Sequence, residues 1–428
     1  MPEALIITGG RPLRGTVPAG GSKNGALPML AAALLVRGRS TLRNVPQVRD
    51  VAVMLDLIRS VGYAVEQSGG TVTISGDAPA HSEPDPALVE QMRASFYLAA
   101  PLVARLGEGR ICYPGGCRIG SRPVDYITDT LAALGATVEA DAACVHLRAA
   151  RLRGATITLD PTYRSPGATF TAVMAAALAD GATTIENASV EPEMASFGNF
   201  LISAGARISG TGTPTIRIEG VPALHDANGV VPPDRLEAGT LLLAGAATRG
   251  KVTVTGIPGS SLEALLAALR TAGAAVRAGA DSVTVALDRR PRPADIETGP
   301  YPGYPTDLQP QFGVVQALAD GVSRATEAIY DGRLAHWDQL TAMGARVTVN
   351  ERTAVITGVP ELHAAGLVAE NIRAGAALLL AALAAHGKSR LAGYSVIARG
   401  YDRIEEKLRA LGADITANEP ARAGSAAR

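Results

Sequence analysis

This 428-residue chain is poor in the residues that staple small or secreted folds. Its 3 cysteines, Cys112, Cys117 and Cys144, have no metal-ligand spacing. A disulfide framework and a structural zinc site are therefore both unexpected, and the thiols read as reduced. Neither charge is in excess: 40 Lys and Arg face 40 Asp and Glu, so no overall field favours nucleic acid or a membrane surface, and any anion site must be assembled locally. Apolar runs such as "AALLLAALAAHG" are too short to span a bilayer, and no charged-then-apolar leader opens the chain. These absences predict a cytoplasmic protein with neither a nucleic-acid nor a membrane partner. Aromatic content is only 4%. The 6 histidines (His81, His146, His225, His336, His363 and His386) lie outside the candidate-site stretches considered below, so none is a strong catalytic candidate.

What is present is repetition. Six stretches, among them "ALGATVEADAACVHL", "TAGAAVRAGADSVTVAL" and "AMGARVTVNERTAVITG", share one pattern, with aligned glycines at Gly62, Gly135, Gly205, Gly273, Gly344 and Gly412. The intervals are 73, 70, 68, 71 and 68 residues, which is one unit used six times. Each unit opens with an Ala- and Leu-rich helical run that ends in Gly, then a short strand. A second, amphipathic helix follows, as in "SLEALLAALRTAG", and then two β-rich runs joined by a turn. The fold class is therefore α/β, built from βαβαββ units whose first helix is apolar enough to be buried.

Six units exceed one core, and a split into three plus three is expected, with a hinge in "DANGVVPPDRLEAGT" near residues 226–240. The strand-like opening "LIITGGRPLRGTVPAG" precedes the first full unit and is free to complete the last domain's sheet. The expected domains are thus 22–229, and 1–21 with 230–418; the small, polar tail 419–428 is expected to be disordered. A cleft between the two is a natural ligand site.

Four places carry candidate chemistry. In "GGSKNGALP" glycines precede Lys23 and Asn24 at the start of a buried helix, which suits an anion, although a turn with a solvated lysine fits the same letters. In "YPGGCRIGSRPVD" Arg118 and Arg122 flank Cys117, which favours a thiolate; an idle surface thiol is the other reading. In "GYPTDLQPQ" Asp307 suits a positioned base, or a helix N-cap. Arg93, Arg373 and Arg399 border apolar helical segments. A charge there must be paired or bind an anion, and for Arg373 and Arg399 no acidic partner is evident in the sequence.

Together, "GGSKNGALP", the Cys117 loop, "YPTDLQPQF", "IRAGAALLLAAL" and "RGYDRIEEKLRALGA" resemble the UDP-N-acetylglucosamine 1-carboxyvinyltransferase (enolpyruvyl transferase) family from about residue 5 to about residue 415. The resemblance implies a two-domain inside-out α/β barrel of three units each. It implies transfer of the enolpyruvyl group of phosphoenolpyruvate to the 3-hydroxyl of the amino sugar, with no cofactor or metal; the sequence sets no oligomeric state, and a monomer is the default expectation. Lys23, Arg122 and Arg399, supported by Arg93 and Arg373, would then hold phosphoenolpyruvate. Cys117 would protonate its methylene carbon, and Asp307 would take the sugar hydroxyl's proton. Asn24, Arg122, Pro123, Val124, Asp125, Ser165, Gly167 and Ile329 would meet the nucleotide sugar.

The chain also departs from the family pattern. Ile127 and the run Val396, Ile397 and Ala398 replace common His and Asp positions, and Gly332 replaces an Asn. Tyr163 and Pro166 stand where a Lys and a Val are common near the nucleotide phosphates, and Arg164 is placed to substitute for the lysine. The phosphoenolpyruvate half of the pattern is intact and the nucleotide half is altered. A second acceptor therefore stays open, another uridine nucleotide such as UMP in nucleoside-antibiotic biosynthesis, ahead of a silent regulatory paralogue or a shikimate-pathway enzyme.

Overall fold

Each amphipathic helix of the repeat ends on glycine because the backbone must turn left-handed there. Gly62, Gly135, Gly205, Gly273, Gly344 and Gly412 all sit at φ between +91° and +100°. The glycine N–H bonds the carbonyl three residues back and the next N–H bonds the carbonyl five back, as in Gly135 to Ala132 (2.9 Å) and Ala136 to Leu131 (3.0 Å). A residue without Cβ makes that termination at least strain.

A computed structural model describes residues 3–113 and 124–418. Cys117, Arg118, Arg122, Pro123 and the 419–428 tail lie outside the described residues. Six sheets form among the described residues, five of four strands and one of three. In a representative sheet, Ala182–Glu186 runs antiparallel to Thr215–Glu219 and parallel to Thr156–Thr158. Thr215–Glu219 alternates exposed and buried residues, as a sheet with one wet face requires.

The dry faces cover the first helices of the units. These are Lys23–Ala32, Ala99–Leu106 and Pro166–Ala176, then Arg235–Ala247, Gln309–Ala317 and Ile372–Ala384. They are buried along most of their length. Small residues let them pack closely: a methyl on Gly239 would come within 2.6 Å of Leu308. Helices thus lie inside and sheets outside, and among the described residues no sheet closes on itself as a barrel. No helix among the described residues is long and apolar enough to cross a membrane.

Two hydrophobic cores result. One spans Ala26 to Val231; the other joins Leu5–Val17 to Leu236–Ile415. The strand Ala4–Thr8 lies between Lys388–Ala392 and Asp414–Asn418, and Arg14–Pro18 pairs in parallel with Lys251–Thr255. The chain passes between the lobes twice, near residues 18–25 and 231–236. The passes are pinned side by side by Ser22 N to Pro232 O and Asp234 N to Gly20 O, both 2.8 Å. Gly21 has no alternative, since a Cβ there would lie 1.8 Å from the Asn44 carbonyl oxygen. The stretch 226–240 is therefore less a loose hinge than the end of the strand Leu224–Val230, two prolines and a capped helix.

One expectation is overturned. Cys112 and Cys144, read as reduced thiols, form a disulfide. They are 32 residues apart in sequence but directly opposite on the antiparallel strands Glu108–Cys112 and Cys144–Arg148, a proximity set by strand register.

The glycine terminations can be tested singly. At Gly205 a Cβ would touch nothing within 4 Å, so Gly205→Ala carries only the left-handed backbone penalty, roughly 1–2 kcal/mol in urea unfolding. Gly366→Ala, equally unobstructed and without positive φ, is expected to be near neutral. Equal effects at the two sites would remove the conformational explanation.

Candidate active site

All six inner helices, or the turns leading into them, reach one cavity of about 620 Å³ between the lobes. Its lining includes Lys23, Arg93, Ser165, Arg235, Asp307 and Arg373. Helix N-termini present unpaired N–H groups and the positive end of the dipole, so their convergence favours an anion. Caps fix where each helix begins. Ser22 accepts from Gly25 N (3.2 Å), Ser165 from Ala168 N (3.2 Å), Asp234 from Leu236 N (2.8 Å) and Asn371 from Ala374 N (2.9 Å).

The cations on this wall are paired. Asp50, only 7% exposed, receives Lys23 Nζ at 3.2 Å and Arg399 Nε at 2.9 Å. Lys23 is therefore not a solvated turn lysine. Asp307 receives Arg333 Nη2 on one oxygen and Arg373 Nη2 on the other, each at 2.8 Å. Arg373 and Arg399 thus do have acidic partners, contrary to the sequence reading. Those partners lie 66 and 349 residues away and meet them only across the fold.

Asp307 is not a helix cap. It sits in the turn Thr306–Leu308, and the helix Gln309–Ala317 starts without a side-chain cap. Burial alone would raise its pKa, but Arg373, Arg333 and Lys23 together hold its carboxyl well below the usual carboxylate range. Arg373 lies 5.2 Å over the Tyr401 ring. The Tyr401 hydroxyl is in turn 2.9 Å from Thr240 Oγ1 and accepts from Gln311 Nε2 at 3.0 Å, deep in the second core.

A third acidic group was not anticipated from sequence. Arg235 binds Glu191 at 3.1 Å and Glu193 at 3.4 Å, and the second oxygen of Glu193 is buried without a partner. Two carboxylates share one guanidinium. Burial first, then Glu193 and Asp307, push Glu191 up to about 7 against the pull of Arg235.

Of the residues expected to bind the nucleotide, Asn24, Arg164, Ser165, Gly167 and Ile329 line the cavity. Val124 and Asp125 do not; Val124 is buried in the first core and Asp125 begins the helix Asp125–Ala133. Arg122 and Pro123, with Cys117, are outside the described residues. Ile127 and Tyr163, both departures from the resembled pattern, line the cavity too. Asp50, Glu191, Arg235 and Arg333 were missed, because an acid in the first turn of an amphipathic helix, or an arginine in a polar loop, looks like ordinary surface.

The sequence profile of the EPSP synthase (3-phosphoshikimate 1-carboxyvinyltransferase) family matches residues 7–408. The chain is 43% identical over 416 residues to the UDP-N-acetylglucosamine 1-carboxyvinyltransferase of Cellvibrio japonicus, covering 96% of this chain and 99% of that one. It is 44% identical over 418 residues to the protein of the same name from Anaeromyxobacter dehalogenans, with the same coverage. Among solved structures, the enolpyruvyl transferase NikO of Streptomyces tendae is 30% identical with a TM-score of 0.87, over 96% of this chain and 98% of that one. EPSP synthase from Acinetobacter baumannii, at 19% identity and a TM-score of 0.72 over 96% and 100%, shares the fold.

The shared guanidinium predicts a pH dependence of stability. A carboxyl whose folded-state pKa is raised binds its proton more tightly folded than unfolded. The stability it contributes is therefore present below 4.5 and is lost as pH rises towards about 7. Melting temperature is expected to fall over that window, and Glu191→Gln to flatten the fall. An unchanged profile in the variant would show that Glu191 does not titrate there.

Proposed function

The chain belongs to the EPSP synthase (3-phosphoshikimate 1-carboxyvinyltransferase) family, and on that premise we propose that this enolpyruvyl transferase moves the enolpyruvyl group of phosphoenolpyruvate to the 3-hydroxyl of UDP-N-acetylglucosamine, releasing phosphate, in peptidoglycan precursor synthesis. The observation that carries the reading is Asp307 held between Arg333 and Arg373 in a cavity that also contains Lys23 and Arg399. The two relatives at 43% and 44% identity, both named for that acceptor, support it. We place the reaction in the cytoplasm and the enzyme as a monomer.

Phosphoenolpyruvate carries a carboxylate and a phosphate, and Lys23, Arg93, Arg373 and Arg399 replace their hydration. Arg122 joins them from outside the described residues. The acceptor's 3-hydroxyl oxygen adds to C2 while C3 takes a proton, for which Cys117 is the donor, and the hydroxyl proton passes to Asp307. C3 then returns a proton to the Cys117 thiolate as the C2–O bond to phosphate breaks, which restores the double bond, and the departing phosphate takes the proton held by Asp307. Each step balances without an oxidant or reductant.

Asp307 is a weak base while Arg373, Arg333 and Lys23 all face it. An anion that engages Arg373 and Lys23 neutralises part of that charge and raises the carboxylate's proton affinity. The base thus strengthens when phosphoenolpyruvate is bound.

One observation favours a second acceptor. Tyr163 brings a neutral phenol to the cavity where the resembled family commonly has a lysine, which suits a uridine nucleotide with less phosphate charge, such as UMP.

Phosphate release from phosphoenolpyruvate, with UDP-N-acetylglucosamine, UMP and UDP offered separately, decides between them. Release with the amino sugar is expected; release with UMP or UDP alone would transfer the assignment to the second acceptor. Asp307→Asn and Cys117→Ser are each expected to lower kcat roughly 10²- to 10⁴-fold. A variant within about tenfold of wild type would lose its place in proton transfer.

A further inference from the structure

The two lobes also meet through three tyrosines at the cavity. Tyr126 and Tyr163 belong to the first lobe and Tyr330 to the second, and all three line the cavity. The Tyr163 and Tyr330 hydroxyls are 3.0 Å apart, a hydrogen bond between residues separated by 167 positions. Their rings stand edge-to-face at 6.5 Å, and Tyr126 lies against Tyr163 at 5.4 Å.

Both ends of this contact are held by the backbone beneath them. On the first lobe Asp160 Oδ1 accepts from Thr162 N at 2.8 Å, and Arg164 N returns to Asp160 O at 2.8 Å. Arg164 itself is left-handed at φ 44°, an uncommon state for a residue with a long side chain. On the second lobe the buried Glu327 accepts from Ile329 N (2.9 Å), Tyr330 N (3.0 Å) and Thr298 Oγ1 (3.0 Å). The Tyr330 ring lies 5.2 Å beneath Arg333, whose guanidinium holds Asp307. One wall therefore runs from the first lobe, across the phenol pair, to the candidate base.

We infer that Tyr163 and Tyr330 form a cross-cleft latch that determines acceptor binding: the phenol pair closes the lobes over the nucleotide half of the acceptor. The inference rests on the acceptor reading above; the resemblance set Tyr163 near the nucleotide phosphates and gave Tyr330 no role. A phenol pair suits the task because it spans the gap without adding charge. The two hydroxyls join through a neutral hydrogen bond, and the pair offers ring faces to a planar base. Of the proposed phosphoenolpyruvate-binding cations, Lys23 and Arg399 pair with Asp50 and Arg373 pairs with Asp307.

Calorimetric titration of the full chain with UDP-N-acetylglucosamine and with UMP tests the assignment, using wild type, Tyr163→Phe, Tyr330→Phe and the double variant. Each single variant is expected to weaken acceptor binding roughly threefold to tenfold. The double variant is expected to bind no worse than the weaker single, because each of the three breaks the same phenol–phenol hydrogen bond. The KM for phosphoenolpyruvate stays at its wild-type value. Additive losses in the double variant, or a phosphoenolpyruvate KM that rises with the acceptor Kd, overturn the latch. Wild-type binding that is unchanged in the variants overturns the latch alone; a wild-type chain that binds neither acceptor overturns it together with the proposed function.

Discussion

Asp50 and Asp307 each hold two cations of the cleft, Lys23 and Arg399 on one and Arg333 and Arg373 on the other. Several positive groups gathered at a partly dry surface would otherwise repel one another and lose hydration. The carboxylates keep them in place at low strain before any anion arrives. An entering anion competes for the same cations, so binding and the proton affinity of Asp307 are linked through shared partners rather than through a movement of the backbone.

The repeat brings these groups together. Each unit buries its first helix beneath its own sheet and starts that helix at the gap between lobes. Six repetitions therefore aim six helix beginnings at one cavity. The doubled crossing at Gly21 and Pro233 sets the lobes side by side. Further contacts span the cleft: Asp50 with Arg399, Glu191 and Glu193 with Arg235, and the Tyr163–Tyr330 pair. These span charged, partly charged and neutral chemistry, and they differ accordingly in how salt and pH act on them.

Much of the unit was legible in the letters. A glycine after an amphipathic run signals a left-handed termination, and all six aligned glycines have it. Arg93, Arg373 and Arg399 were legible because charge beside apolar helix demands a partner, Lys23 and Asp307 joined them through the resemblance, and all five reach one cavity. What kind of partner was not legible. Asp307 fits the letters of an N-cap, yet its oxygens go to two arginines. Cys112 and Cys144 show no framework spacing, yet strand register sets them opposite each other. Val124 and Asp125 stand inside a motif that fits the nucleotide, yet the cavity wall takes Tyr126 and Ile127 from that helix start instead.

The sequence by itself determined the seventy-residue period, the buried first helices, the amphipathic second helices and their glycine ends. Those depend on local periodicity and on backbone sterics that act within a few residues. Only the tertiary structure decided that Arg399 meets Asp50 across 349 residues and that Tyr163 meets Tyr330 across 167. Such contacts depend on how two separately cored lobes are set against each other. That placement is the sum of many weak long-range packings, and no local pattern of residues encodes it.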